Sequence, residues 1–313
     1  MTDRPADASR ALDALEWAAV RAERGEQHGG APKDVMARDY RVAAASDLEA
    51  LRVRLDRVIM ATDAEAGLDA MLECGALVAL LPSVAAMVGF SDGEWRHKDV
   101  WKHTKQVVRQ AAPRIEVRWA ALLHDIGKVK TRSISPDGEV HFFGHAEVGA
   151  RMFDKMERRI RLFVDDAALK KEVRFLILHH LRASQYDKTW TDGAVRRFSR
   201  DMGAYMEDLF CLSRADITTK RPERKRRGLR QINELSSRVS ALAADEEKNR
   251  AVLPKGLGSA IMKEFELPPS KAIGNIRDAL EAEVRVGNCP AGADMAVYLH
   301  YLRTHPHLLP NAQ

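Results

Sequence analysis

The chain has 313 residues, of which 45% are hydrophobic and 30% charged, and its formal net charge is +5. This apolar content suffices for a substantial core, and the modest glycine, proline and charge content excludes collagen-like, coiled-coil and wholly disordered proteins. The cysteines Cys74, Cys211 and Cys289 are far apart and match no metal or redox spacing. We therefore expect free thiols in a reducing compartment.

The N-terminus and the longest apolar stretch argue against export and membrane insertion. Residues 2–5 contain no apolar run of the kind that opens a secretory signal. The apolar stretch from Gly75 to Phe90 is interrupted by Pro82 and is too short to span a bilayer. We expect a cytoplasmic protein with no membrane partner.

Helical periodicity dominates the first part of the chain, with a loop over Gly25 to Pro32. Ser46, with Glu49 three residues later, is predicted to cap one of these helices. The predicted helices are Ala11–Glu23, Ser46–Met60, Ala64–Cys74, Pro82–Phe90, Lys98–Ala112 and Arg114–Ile126.

A single segment predicts β-structure, because Ser133 to Phe142 alternates around a Pro-Asp-Gly turn. Helical periodicity then resumes, interrupted by a charged stretch after Thr218. The predicted helices are His145–Phe163, Leu169–Leu181, Asp192–Met202, Tyr205–Thr218, Leu229–Leu242, Ile273–Val286 and Asp294–Arg303. The sequence therefore predicts an all-α protein with one short β-hairpin.

Six polar residues fall on apolar helix faces that should point into the interior. They are His103, His124, Asp125, His145, His180 and Asp216. One such histidine is more often a hydrogen-bonded core residue than a metal ligand. Because burying an unpaired carboxylate is costly, six together favour a bound cation.

The spacing around Pro113 supports this interpretation. His103 lies ten residues before Pro113 and His124 lies eleven after it. If Pro113 marks the turn of an antiparallel helix pair, each histidine lies about 15 Å from the turn and both can share one ion. With Asp125 and Asp216 they form a mixed imidazole–carboxylate site, which suits Mn, Fe, Co, Ni or Zn better than Ca, with Mg left open.

These residues carry a family resemblance. His103, the segment His124-Asp125-Ile126-Gly127-Lys128 and Asp216 resemble the signature of the HD-domain metal-dependent phosphohydrolases, in its HDxGK variant. Segments 99–104, 143–147 and 190–198 resemble the HD domain of bacterial tRNA nucleotidyltransferases and poly(A) polymerases.

The resemblance extends over Ser46 to Leu302, since Gly67–Pro82 is similar to the neck helices of those enzymes and Leu257–Met262 with Ile273-Gly274 to their C-terminal region. It implies an HD-domain helical bundle flanked by helical neck and C-terminal regions. The implied domains are 1–45, an N-terminal helix and loop without assignment; 46–92, neck-like helices; 93–222, the HD metal-binding domain; and 223–313, the C-terminal helical region.

The resemblance also implies roles for single residues. The first ion would bind His103, His124, Asp125 and Asp216. His145 and His180, or His179 in place of His180, match positions that hold a second ion in two-metal relatives and act on substrate in one-metal members; the sequence leaves this open. Catalytic roles fall to Asp125, Lys128, His145 and His180.

Several cations are candidates for substrate contact. Lys128 would neutralise a substrate phosphate, although a lysine just after a helix end is also favourable by itself. Lys130 and Arg132 follow it in a predicted loop and are weaker candidates. Arg197, beside Arg196, matches the family pattern, and ion pairs within the fold explain it equally well.

The chain also departs from those enzymes. Their nucleotidyltransferase head carries a glycine-rich loop and an Asp-x-Asp metal pair, whereas no Asp-x-Asp occurs here and Gly29-Gly30 is followed by Ala31-Pro32-Lys33. Because nucleotide addition needs paired acids to hold two metal ions, we expect no CCA-adding or poly(A) activity.

The expected substrates are nucleotides or RNA ends, with 2′,3′-cyclic phosphodiesterase or phosphatase chemistry. Dinucleoside polyphosphates and nucleoside monophosphates are alternatives, and (p)ppGpp stays open. Hydrolysis of cyclic dinucleotides is disfavoured, because the Gly-Tyr-Pro continuation typical of that branch is missing.

A basic stretch supports a different function, RNA binding with a structural or vestigial HD site. Residues 214–230 hold eight basic and two acidic residues, a net of +6, so the other 296 residues sum to −1. Such a stretch suits the phosphate backbone of a tRNA, but no aromatic residue between Arg214 and Arg250 offers base stacking. A solvated helix start, or attraction of substrate to the metal, would explain the charge as well. The roles of His141 and of a docking surface around Trp17 stay open.

Overall fold

The computed structural model of the chain describes residues 5–25, 30–90, 99–248 and 252–309. These residues form helices and one short hairpin, and the chain divides into two compact units, residues 1–240 and 241–313. The predicted all-α class with one hairpin is confirmed. The predicted domain boundaries at residues 45, 92 and 222 stay predictions.

Helix α1 and the helices packed around it form the N-terminal part of the first unit. The bounds are α1 Ala6–Arg24, α2 Ala37–Ser46, α3 Leu48–Met60, α4 Ala64–Glu73, α5 Ala76–Leu80 and α6 Pro82–Ala85. The buried face of α1 consists of alanines and two leucines, so α2, α3 and α4 can approach it closely. The approach is tightest at Gly67 of α4, where a β-carbon would lie 2.5 Å from Cβ of Ala22.

Two sequence-based expectations in this part are wrong, and the α2 helix was not predicted. Ser46 is its last residue and does not cap α3; instead the Asp47 carboxylate accepts a hydrogen bond from the Ala50 N–H at 3.0 Å. Helix α6 ends at Ala85 instead of continuing to Phe90, and the chain turns through Gly89 in the left-handed region, at φ 69°.

Helices α7 to α13 and the hairpin complete most of the first unit. The bounds are α7 Val100–Gln110, α8 Ile115–Leu123, α9 Lys128–Thr131, β1 Ser133–Ile134, β2 Val140–His141, α10 His145–Ile160, α11 Ala167–His179, α12 Asp192–Met202 and α13 Met206–Ala215, with a 3-10 turn at Gly203–Tyr205. The strands are antiparallel, with Ser133 opposite His141.

Helix α8 is the central element of this part, since every residue from Val117 to Leu123 is buried and α3, α7, α11 and α13 pack around it. The buried Arg118 donates to the carbonyls of Ala111 at 3.0 Å and Ile59 at 2.9 Å. The Trp119 indole donates to Asp56 of α3 at 2.7 Å. These bonds fix α8, and thus the HD dipeptide that follows it, on the preceding helices.

Several boundaries differ from the predicted ones for local reasons. Helix α10 ends at Ile160, because Arg161 adopts the left-handed conformation. Lys128 and Lys130 lie in the single turn of α9, where a loop was predicted. Helix α14 runs from Pro222 to Lys248 and begins seven residues before the predicted Leu229, since proline is well suited to the first helical position.

The second unit has its own core. Its helices are α15 Leu257–Glu264, α16 Lys271–Arg285 and α17 Met295–Thr304, followed by a 3-10 turn at Pro306–Leu308. The fully buried Tyr298 lies among Leu257, Ile261 and Leu280. Its hydroxyl donates to the Pro290 carbonyl at 2.8 Å and accepts from the Ala293 N–H at 3.0 Å.

None of the helices in the described ranges is long and apolar enough to cross a membrane. The three cysteines form no disulfide; Cys74 and Cys289 are buried and Cys211 is half-buried. Burial raises the pKa of the Cys74 thiol, so this side chain stays protonated at neutral pH.

Candidate metal centre

Four helix ends and one helix face bring the six predicted polar residues together. His124 and Asp125 follow α8, His145 opens α10, His180 follows α11 and Asp216 follows α13, whereas His103 lies within α7. The side chains of His124 and Asp125 are 1% exposed. The side chain of Asp216 is 31% exposed, so the centre opens toward solvent on that side.

The Asp125 carboxylate lies in the middle of the cluster. Its Oδ2 is 3.2 Å from Nε2 of His124, 3.5 Å from Nε2 of His103 and 2.6 Å from Nζ of Lys128. Its Oδ1 is 3.5 Å from Nε2 of His145, which in turn lies 3.2 Å from Nε2 of His180. The two oxygens of Asp125 therefore face two different groups of histidines.

Asp216 belongs to the first of these groups. Its Oδ1 is 3.0 Å from Nε2 of His103 and 3.7 Å from Nε2 of His124. The rings of these two histidines meet edge to face, with centroids 5.5 Å apart. The structure thus places His103 and His124 side by side, as the spacing around Pro113 predicts.

Backbone carbonyls orient three of the histidines. Nδ1 of His124 lies 2.9 Å from the Ala121 carbonyl oxygen, and Nδ1 of His145 lies 2.8 Å from that of Phe142. Nδ1 of His180 lies 2.8 Å from the carbonyl oxygen of Ile177. Because a carbonyl only accepts, each Nδ1 carries the hydrogen and each Nε2 presents its lone pair to the centre. This arrangement is typical of metal-binding histidines.

His103 is oriented by a residue that the sequence did not single out, Thr218. The Thr218 hydroxyl lies 2.9 Å from Nδ1 of His103 and is buried. The sequence signal that could have identified Thr218 is its position two residues after Asp216, since a polar side chain there can orient a ligand across the site.

The donors fit a divalent cation. Among the described residues, Nε2 of His124 and Oδ1 of Asp125 are buried and have no hydrogen-bond partner, an arrangement that is destabilising unless something else satisfies them. Two groups have ligand atoms close enough to share an ion, His103 with His124 and Asp125, and Asp125 with His145 and His180. Atoms bound to one ion at about 2.0–2.2 Å lie within about 4 Å of one another.

Opposing effects set the charge of the first group. Burial alone would raise the pKa of Asp125, but its contacts with His124 and Lys128 outweigh burial and hold this pKa well below its usual range. Burial likewise opposes ionisation of Asp216, and the contact with His103 lowers the pKa of Asp216. Burial would lower the pKa of His124, but Asp125 raises it. Both carboxylates are therefore ionised at neutral pH.

The two histidines of the second group, His145 and His180, are neutral. Burial lowers the pKa of His145, and burial together with the neighbouring His124 lowers the pKa of His180 to about 4. Both rings are therefore unprotonated at neutral pH, the form in which imidazole binds metals.

Gly127 explains the spacing of the HDxGK segment. A β-carbon at this position would lie 2.0 Å from the His145 carbonyl oxygen and 2.7 Å from the Gly149 nitrogen. The turn after α8 can therefore pack directly on the first turn of α10. This contact brings Asp125 to His145.

The remaining predicted site residues are more peripheral. Lys128 contacts Asp125 and is 23% exposed. The ring of His179 packs on Phe175 at 4.3 Å, and His179 belongs to neither group able to hold an ion. Arg132 and Arg197 are exposed, and their substrate contacts stay predictions.

The basic stretch occupies the start of α14. Arg214, before this helix, is half-buried and donates to Asn233 at 3.0 Å. Arg226 is paired with Glu223 one turn away. The exposed cations from the loop onward are Lys220, Arg221, Arg224, Lys225, Arg226, Arg227 and Arg230.

Comparison with known proteins places this site in a family. Residues 100–221, which include all six residues of the centre, match the family model described as HD domain. The chain is 31% identical over 244 residues to the A-adding tRNA nucleotidyltransferase of Deinococcus radiodurans, a match that covers 76% of this chain and 54% of that protein. It is 30% identical over 250 residues to the CC-adding tRNA nucleotidyltransferase of Thermus thermophilus, with the same coverage of 76% and 54%.

A shorter match joins the chain to the multifunctional CCA protein of Ectopseudomonas mendocina, at 32% identity over 135 residues, 41% of this chain and 32% of that protein. The chain spans about half the length of the Deinococcus and Thermus relatives. The predicted resemblance is confirmed by these matches. Residues 100–221 of this chain are thus an HD domain, and the chain is related to the bacterial tRNA nucleotidyltransferases.

Proposed function

We propose that the chain is a metal-dependent phosphohydrolase that acts on nucleotides or RNA ends, with 2′,3′-cyclic phosphodiesterase or phosphatase activity. The observation that carries this proposal is the pair of buried, unbonded atoms, Nε2 of His124 and Oδ1 of Asp125, at the centre of the cluster. A cation satisfies both at once, and the mixed nitrogen and oxygen donors suit Mn, Fe, Co, Ni or Zn, with Mg as a further candidate.

We infer two ion positions that share Asp125. The first takes His103, His124, Asp125 and Asp216, and the second takes Asp125, His145 and His180. The opposite orientation of the two Asp125 oxygens supports this division. Bound ions would supply Lewis acidity, which lowers the pKa of a water molecule and polarises the phosphoryl group.

The exposed side of the centre indicates where substrate approaches and which residues contact it. Asp216 and Lys128 are 31% and 23% exposed, whereas His124 and Asp125 are enclosed, so substrate approaches between Asp216 and Lys128. There the Lys128 ammonium neutralises and orients a substrate phosphate. Arg132 and Arg197 are weaker candidates for further phosphate contacts.

The test is a hydrolysis screen with the purified chain and its Asp125→Ala variant, each supplied with Mn, Co, Ni or Mg. Substrates are 2′,3′-cyclic nucleotides, nucleoside monophosphates, dinucleoside polyphosphates and a tRNA ending in a cyclic phosphate. We expect metal-dependent turnover of the cyclic phosphates that is abolished in the variant.

Asp154→Ala is the matched control, because Asp154 pairs with Arg174 at 2.8 Å in the same domain but lies outside the centre. It should keep the activity. Metal analysis should find two ions per wild-type chain; one ion would leave His145 and His180 to contact substrate instead. Absence of turnover with every metal and substrate would overturn the proposal.

A second proposal concerns the basic stretch, for which we infer contact with the tRNA backbone. Its supporting observation is the exposure of cations in the first turns of α14, where the helix dipole disfavours positive charge. Positive side chains at this unfavourable end of the helix suggest that they serve to bind an anion outside the chain. The Deinococcus and Thermus relatives are tRNA enzymes, which agrees with this inference.

This inference predicts salt-sensitive tRNA binding. Arg224→Ala with Arg227→Ala should weaken binding and reduce the salt slope by about 0.7–0.9 for each phosphate that the variant no longer neutralises. The control is Lys188→Ala, an exposed lysine on the loop before α12. An unchanged salt slope in the double variant would contradict the tRNA contact and leave the stretch as a solvated helix start.

The relatives' nucleotide-adding activities do not extend to this chain in our proposal, because its 313 residues contain no Asp-x-Asp pair. The screen therefore includes CTP and ATP with a tRNA that lacks its terminal nucleotides, and we expect no addition. We further propose a cytoplasmic location, in agreement with the unpaired cysteines.

A further inference from the structure

The turn between the hairpin and α10, beside the metal centre, carries an exposed aromatic side chain, Phe143. It is 77% exposed, and within the described part of the chain it is the sole aromatic among the large exposed hydrophobic side chains. The ring of Phe143 stacks on that of His141, with centroids 5.0 Å apart and an angle of 14° between the planes. Phe143 lies in the turn two residues after His141, the last residue of β2. The outer face of the Phe143 ring is left to solvent.

The backbone fixes this stack at the edge of the metal centre. Phe143 precedes the ligand candidate His145 by two residues, so their Cα atoms are at most about 7 Å apart. The carbonyl of Phe142 bonds Nδ1 of His145 at 2.8 Å. Between them Gly144, at φ 69°, turns the chain from the hairpin into α10. The same few residues therefore position both a metal ligand and an aromatic face.

The adjacent aromatic residue, Phe142, has a packing role instead. Phe142 is half-buried, its ring lies 6.4 Å from that of Phe90, and Lys128 lies over it at 5.7 Å. Phe142 thus packs within the domain and supports Lys128. The ring contact of Phe143 among the described residues is with His141.

We propose that Phe143, supported by His141, stacks on the base of the substrate, whose phosphate lies at the metal centre. This inference rests on the proposed phosphohydrolase function and deepens it, because it restricts the preferred substrates to phosphate esters that carry a nucleobase. Stacking is tolerant of base identity, since every base has a π-face. The ribose separates base from phosphate, as the turn through Gly144 separates Phe143 from His145.

The test compares binding of adenosine 5′-monophosphate and ribose 5-phosphate, which differ by the base, by calorimetry with the Mn-loaded chain. Wild type should bind the nucleotide about 10- to 100-fold more tightly than the sugar phosphate. Phe143→Ala should lose this preference without weaker binding of ribose 5-phosphate. Phe143→Trp should keep the preference, and its added indole fluorescence should be quenched by the nucleotide alone.

Ile134→Ala is the matched control, because Ile134 is 61% exposed on β1 of the same hairpin. It should keep the wild-type preference for the nucleotide. An equal nucleotide preference in wild type and Phe143→Ala would overturn the stacking inference, as would a wild-type chain that binds neither ligand.

Hydrolysis assays separate this inference from the proposed function. Equal turnover of adenosine 2′,3′-cyclic phosphate and of methyl ribofuranoside 2′,3′-cyclic phosphate would overturn the stacking inference and leave the phosphohydrolase standing. No turnover of either, with nucleotide binding that still depends on Phe143, would overturn the phosphohydrolase and support the stacking.

Discussion

One local geometry recurs at three of the four histidines. His124, His145 and His180 each hydrogen-bond through Nδ1 to the carbonyl three residues earlier, at 2.8–2.9 Å. Two of them directly follow a helix, whose last carbonyls have no partner within the helix and can accept this bond. The local backbone therefore orients these three metal-ligand candidates, and no side chain from another helix is needed to hold their Nδ1 atoms.

At the residue scale, we predict that Gly127→Ala is strongly destabilising. Its β-carbon would lie 2.0 Å from the backbone oxygen of His145, so α10 must shift away from the turn that carries Asp125. Such overpacking costs about 1–3 kcal/mol or more. Urea unfolding should show the loss of stability, and metal binding should weaken as well.

The matched control is Gly193→Ala, since a β-carbon at Gly193 of α12 would approach nothing closer than 3.8 Å, the Thr191 hydroxyl. This substitution should be neutral or stabilise by up to about 1 kcal/mol through better helix propensity. Equal stability of the two variants would contradict the close-approach role of Gly127.

At the scale of elements, the sequence predicted those helices that have a strong apolar periodicity. Helix α12 has the predicted bounds, Asp192–Met202, because Thr191 caps it through the Ala194 N–H and Gly203 ends it. Helix α2 was missed because Tyr40 and Ala43 are its only buried apolar side chains. Its burial depends on α1, a partner that no local pattern reveals.

Some residues of the candidate site could likewise be predicted from the sequence, and others could not. Periodicity singled out His103, His124, Asp125 and Asp216, and the structure places them within one cluster. The choice between His179 and His180 could not be made, because both follow apolar helical positions and the exact end of α11 decides which one turns inward. Gly127 and Thr218 act through neighbours distant in sequence, so their roles required the fold.

The interface of α8, α11 and α13 contains a carboxyl group that should make stability depend on pH. Burial, together with contact with the Asp208 carboxyl, raises the pKa of Glu172 from 4.5 to about 8. Between these values the unfolded chain is ionised at Glu172 while the folded chain keeps the proton, so stability is lost as pH rises from about 4.5 to 8.

We predict that Glu172→Gln removes this loss. Because Glu172 is partly exposed, we expect a gain of only about 1–2 kcal/mol at pH 8, and little difference at pH 4.5. Urea unfolding at the two pH values measures it. Glu207→Gln, on the exposed side of α13 at 65% exposure, should show no such pH-dependent gain. The same gain in both variants would contradict the role of burial at Glu172.

At the scale of the whole molecule, positive charge and metal centre are adjacent along the chain. The exposed cations begin at Lys220, four residues after Asp216, while the other 296 residues outside the basic stretch sum to −1. A local positive field beside an otherwise balanced surface favours association with polyanions at one place. Because the field falls off within about 10 Å at 0.1 M salt, it acts on a polyanion that lies that close to these cations.

Metal binding should be visible in the stability of the chain itself, independently of any substrate. A ligand that binds the folded state alone stabilises it by about 4 kcal/mol at a thousand times its dissociation constant. For a unit of this size, that corresponds to an increase in Tm of about 8–16 °C. Treatment with a chelator should lower Tm, and Mn or Co should restore it.

The variants determine whether this shift originates at the centre. Asp125→Ala removes the carboxylate that both ion positions share, so its Tm should not respond to metal. Asp154→Ala should keep the full metal response, since its carboxylate pairs with Arg174 outside the centre. A metal response of wild-type size in Asp125→Ala would place the ion elsewhere. No response in wild type would mean that the unbonded atoms of His124 and Asp125 are satisfied without a cation.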